Sequence, residues 1–165
     1  MKIQKVQILK DDRICIQVIQ EKNGKEEEIT LKSDLEPAEG FHPAVDALKS
    51  HACEIMEFVK GDETKTTITA VTFKETGDLN ARGAQIVFNR VLARSDAPVK
   101  ITTPLKFMDK PAEDSPDSVL FSKACIAALK KLLTEAEEYY NGNGLEQDMF
   151  TNTDDDEGAA EKEPE

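Results

Sequence analysis

Apolar and polar residues alternate along the first stretch of the chain, KIQKVQILKDDRICIQVIQEKNGKEEEITLKSD. Val6 and Ile8 flank Gln7, Asp11–Asp12 makes a turn, and Ile14, Ile16 and Val18 recur at every second position, the period of a half-buried strand. Asn23–Gly24 predicts a hairpin turn, because both residues tolerate positive φ. Beyond it, Ile29 and Leu31 alternate with Glu28, Thr30 and Lys32 as a third strand, which completes a meander.

The period then changes. In GFHPAVDALKSHACEIMEFVKG the apolar positions Phe41, Val45, Leu48, Ala52, Ile55 and Val59 are three or four apart, the stripe of an amphipathic helix. Pro43 falls in its first turn and Gly61 past its end. KTTITAVTFK, residues 65–74, is β-branched and predicts a strand; Gly77–Asp78 turns, and GAQIVFNRVL, residues 83–92, predicts another. Ser95–Pro98 breaks the pattern before the short strand VKITT, and Pro104, Pro111 and Pro116 punctuate a connection. Ser115 as N-cap and Pro116 at the first position predict a second helix, buried through Phe121, Cys125, Ala128, Leu132 and Ala136 and continued by Tyr139 or Tyr140. The run Asn141–Gly144 is expected to end it.

The chain is therefore α+β: an antiparallel β meander, a helix, further strands, a C-terminal helix and a disordered acidic tail. One domain covers residues 1–141 and a flexible acidic tail 142–165. Three strands, a helix and two more strands is the chain order of an OB-like barrel. An open sheet with its helices on one face gives the same order, and both readings stand.

Hydrophobic residues make up 39% and charged residues 33%, which predicts a well-solvated protein. No run approaches the ~20 apolar residues of a membrane span, and the N-terminus lacks the apolar core of a signal peptide. Cys15, Cys53 and Cys125 are odd in number and sit in apolar patterns, so buried free thiols in a reducing cytoplasm are expected. The net charge of −12 is uneven: residues 151–165 hold seven carboxylates and one lysine, half of the total. Residues 79–110 hold six cations, Arg82, Arg90, Arg94, Lys100, Lys106 and Lys110, against Asp96 and Asp109.

Three segments, ITLKSDLEPAEGFHPAVDALKSHACEIMEF, ITAVTFKETGDLNARGAQIVFNRVLARSDAPVKITTPLKFMD and ALKKLLTEAEEYYNGN, together resemble a family of small bacteriophage and prophage proteins. That family carries an SDDEP…F…AL…L stretch, an ITVRGVSF-like strand and a Glu/Leu-rich C-terminal helix. The resemblance covers most of the body. It implies a phage-encoded early protein, from genes near those of replication or recombination in a bacterial host, and it supplies no catalytic residues.

Catalytic patterns are missing from the sequence. His42, His51 and Cys53 match no zinc spacing, and there is no phosphate loop, nucleophile elbow or framed carboxylate pair. A non-enzymatic protein without metal or cofactor is expected. A groove for single-stranded DNA needs cations along the phosphates and aromatic faces under the bases. Phe73, Lys74, Arg82, Phe88, Arg90, Arg94, Lys100 and Lys106 supply both types in one segment, although both rings also fit a strand core.

LEQDMF, residues 145–150, resembles the peptides that dock bacterial sliding clamps through a Gln-Leu-Ser/Asp-Leu-Phe pattern. Asp148, Met149 and Phe150 match its last positions in character, Leu145 precedes them, and Glu146 and Gln147 depart from it. The expected function is thus a phage single-stranded-DNA-binding accessory protein of replication or recombination, its acidic tail serving autoregulation or partner recruitment. The competing class is an acidic inhibitor, a DNA mimic or anti-defence protein that binds a host protein. Homo-oligomerisation is compatible with either.

Overall fold

The computed structural model describes the backbone of residues 1–59 and 61–150, and the side chains of 1–59 and 61–142. Its strands are β1 Lys2–Ile8, β2 Ile14–Lys22, β3 Lys25–Ser33, β4 Thr66–Thr76, β5 Ala81–Val91, β6 Pro98–Thr102 and β7 Lys106–Phe107. They form one antiparallel sheet in the order β3-β2-β1-β4-β5-β6, with β7 also on β5. The N-terminal meander is present, and Asn23 and Gly24, at φ 55° and 77°, make the turn between β2 and β3. The sheet is open. A barrel would return from β5 to β3, but β5 takes β6 and β7 as neighbours, so β3 and β6 remain edges.

One face carries the core. Val6, Ile14, Ile16, Val18, Val71, Phe73, Ile86 and Phe88 point to it, and Phe41, Val45, Leu48, Ala52, Leu129 and Leu132 press down from the helices. Ile29 and Ile55, expected in this layer, are only partly buried at its margin. The helices are α1 Phe41–Asp46, α2 Leu48–Ile55 and α3 Lys123–Phe150. No described helix is long and apolar enough to cross a membrane. Cys15, Cys53 and Cys125 are buried free thiols, and burial, with Glu54 nearby, pushes the Cys125 thiol up to about 12.

The stripe from Phe41 to Val59 is not one helix. It is interrupted at Ala47, and α2 ends in a Schellman motif, in which Phe58 N–H donates to the Cys53 carbonyl at 2.9 Å and Glu57 N–H to that of Glu54 at 3.1 Å. Val59 therefore lies beyond the helix, 73% exposed. Glu57 holds the left-handed position, φ 60°, that glycine favours. Glu57→Gly is expected to stabilise the protein by about 0.5–1 kcal/mol, seen as a raised denaturant midpoint at unchanged slope. A lowered midpoint would assign the Glu57 side chain a structural role of its own.

The cap of the last helix also moves. Ser122 Oγ accepts from Cys125 N–H at 3.1 Å and caps α3, whereas Ser115 Oγ accepts from Ala112 N–H within the proline-rich connection. Pro116 leads only into a 3-10 turn, Asp117–Val119. Along α3, Leu129 is fully buried and Ala128 only partly. The Asn141–Gly144 run does not stop the helix, which continues to Phe150. A helical glycine costs only about 1 kcal/mol relative to alanine, and propagation is far easier than nucleation. Tyr139 ties α3 to the chain after β3 by donating to the Leu35 carbonyl at 2.8 Å. The side chains of Leu145, Asp148, Met149 and Phe150, and all of the acidic stretch 151–165, lie outside the described residues.

Candidate nucleic-acid interface

Strand parity decides the fate of the two phenylalanines. Phe73 stands opposite Ala84, and Phe88 opposite Ile68, on the face under the helices. They are 4% and 0% exposed, so neither ring can meet a base, and the stacking role expected of them is corrected to a core role.

The arginines of β5 share that face, at the two ends of the core. Arg82 places its guanidinium 5.0 Å from the centre of the Phe73 ring and donates to the Ile3 carbonyl. Burial lowers its pKa below the ordinary guanidinium range, and the charge of Glu75 partly offsets this. Arg90 lies 4.5 Å from the centre of the Phe58 ring, with Nη2 3.1 Å from Asp62 Oδ2. Phe58 in turn packs edge-on against Phe88, the ring centroids 6.1 Å apart. Arg90 thus closes one end of the core, and its charge is committed to a buried aspartate.

The other cations scatter. Lys106 Nζ donates to the Ser118 carbonyl at 2.9 Å, and Arg94 is exposed in the turn between β5 and β6. Only Lys74 and Lys100 share an uncovered surface. The segment is basic in sequence, but it does not fold into one groove.

That uncovered surface is the second face of the sheet. The register places Lys5 and Gln7 of β1, Thr67, Thr72 and Lys74 of β4, Gln85 and Asn89 of β5, and Lys100 and Thr102 of β6 together on it. Gln17 of β2, with Thr30 and Lys32 of β3, extends it. Gln7, Cys15, Gln17, Thr30 and Lys32 line a shallow depression there, about 600 Å³ in volume. No carboxylate stands on this face along β1, β4, β5 or β6; the one acidic residue of β4, Glu75, points to the other side, opposite Arg82. Among the described strand residues, acid reappears on this face only near the tip of the β2–β3 hairpin, at Glu21, Glu26 and Glu28.

Lys5, Lys32, Gln7, Gln17, Gln85 and Asn89 escaped the sequence reading, which followed aromatic residues and local charge. Their signal was the polar phase of the same alternation that revealed the strands. Among the described residues no three His, Cys, Asp or Glu side chains gather in a group that could hold a metal ion. In comparisons with known proteins, no family model, no curated protein and no solved structure matches this chain.

Proposed function

We propose that the chain is a non-enzymatic accessory protein that holds single-stranded nucleic acid by its phosphate backbone on the open face of the sheet. The carrying observation is that, in a chain of net charge −12, four strands present Lys5, Lys74 and Lys100 on that face without a carboxylate. Fixed anions repel phosphates, so a phosphate-binding surface excludes them, and glutamine, asparagine and threonine supply neutral donors. Phe107, in register with Gly83 on this side of the sheet, is only 9% exposed, so affinity rests on phosphate contacts and falls steeply with salt. A role in replication or recombination is part of the proposal, and its support is the phage resemblance of the sequence. The acidic residues 151–165 compete for the lysines or, with Leu145–Phe150, recruit a partner such as a sliding clamp.

The test is fluorescence anisotropy with a labelled single-stranded oligonucleotide at several salt concentrations. The triple change Lys5→Ala, Lys74→Ala and Lys100→Ala is expected to flatten the slope of log affinity against log salt by about 2, at ~0.7 per lost phosphate contact. Arg94→Ala serves as a control that alters charge elsewhere. An unchanged slope in the triple variant removes this face from the site. Failure of the natural chain to bind at low salt favours the inhibitor reading, whose own observation is the exposed run Glu26, Glu27 and Glu28 fixed on edge strand β3.

A further inference from the structure

The sheet splits at one end. β1 pairs with β4 only from Lys5 to Gln7, and an irregularity lies between Ile3 and Lys5, while Phe73, Lys74 and Glu75 pair with β5 alone. β-Bulges often sit beside functional sites because they open a sheet locally. Here the split holds a cavity of about 240 Å³, and Arg82 spans it to reach the Ile3 carbonyl.

The charges in this cavity are unequally matched. Lys2, Lys74 and Arg82 line it against Glu26 and Glu75. Glu75 is taken by Lys2 at 2.8 Å, and no carboxylate of the described residues lies within 4.0 Å of Arg82 or Lys74. This half-buried guanidinium rests on a ring and one neutral carbonyl, and Glu75, paired to Lys2, offsets its desolvation only in part and forms no ion pair with it. We propose that the cavity binds a phosphate group, with Arg82 and Lys74 as its ligands. The volume falls below the ~300–1,000 Å³ of cofactor pockets, so the guest is one phosphate with at most part of a sugar. Lys74 belongs both to the cavity and to the open face, so a 5′-phosphorylated strand that ends beside Lys74 can place its terminal phosphate here. That source rests on the function proposed above; free phosphate is the other.

Two titrations of the full chain test this. Inorganic phosphate is added while the amide resonances of Ile3, Lys74 and Arg82 are followed by NMR; separately, 5′-phosphorylated and 5′-hydroxyl forms of one oligonucleotide are compared by anisotropy. Saturable shifts at those amides are expected, with roughly tenfold tighter binding of the phosphorylated strand. Both effects should be lost in Arg82→Gln and in Lys74→Ala; the latter changes an exposed side chain and keeps the test valid if the former unfolds the protein. Absence of phosphate-induced shifts overturns the proposal, whatever the oligonucleotides do. Shifts with equal binding of the two strands assign the pocket to free phosphate. Shifts without binding of either strand leave the pocket standing and overturn the nucleic-acid reading instead.

Discussion

Truncating Phe88 to alanine is expected to cost about 3–5 kcal/mol, among the largest effects of any single change in this protein. The ring is fully buried, opposite Ile68 on β4 and Ile101 on β6, and it carries Phe58 against its edge. Removing it leaves a cavity bounded by strands already tied into a ladder, which can collapse only in part. At this chain length the melting temperature should fall by roughly 6–20 °C. Affinity for single-stranded nucleic acid, measured per folded molecule, should not change, because the ring is inaccessible to a base. Intact stability with lost binding would reverse that conclusion and return Phe88 to a stacking role.

Arg90→Ala should cost about 2–4 kcal/mol, while Arg94→Ala stays within ~0.5 kcal/mol, although the two arginines are neighbours in sequence and equally charged. Arg90 is three-quarters buried, its guanidinium stacked on Phe58 and paired with Asp62, whose side chain is 8% exposed. Deleting it strands the aspartate charge and uncovers the ring. Chemical denaturation of Arg90→Ala, Asp62→Asn and the double variant separates the contributions: the double should be less destabilised than the sum of the singles by about 1–3 kcal/mol. Additive effects would mean that the pair contributes nothing beyond two independent contacts. Loss of nucleic-acid binding in Arg90→Ala beyond its unfolded fraction would restore Arg90 to the interface.

Alternation at period two was enough to place β1 to β5 and their turns, since a strand with one buried face must write that face into every second residue. The spacing of three and four likewise located the buried side of the helices through Leu48, Ala52, Cys125, Leu132 and Ala136. Boundaries were less legible. Schellman closure at Glu57 and capping by Ser122 depend on backbone angles that several residue types can adopt, so Gly61 and Ser115 drew attention to the wrong places. The two-residue β7 carries no period at all.

The sequence by itself determined the α+β class, the meander, the amphipathic stripes and the uneven placement of charge, because each is a local rule of burial or turn geometry. Tertiary structure alone decided that the sheet stays open, since closing a barrel depends on which strand β5 accepts as neighbour, and nothing within β5 encodes that choice. It also decided the fate of each cation. Arg82 and Arg90 alternate along one strand as solvent-facing residues would, yet helices and loops far away in sequence cover that side of the sheet and bring up Phe58 and Asp62. Lys5 and Lys100 are 95 positions apart in sequence and lie on one surface only because β1, β4, β5 and β6 are neighbours. A binding face assembled from four strands is a property of their pairing, and pairing is a contact between distant residues that no local pattern records.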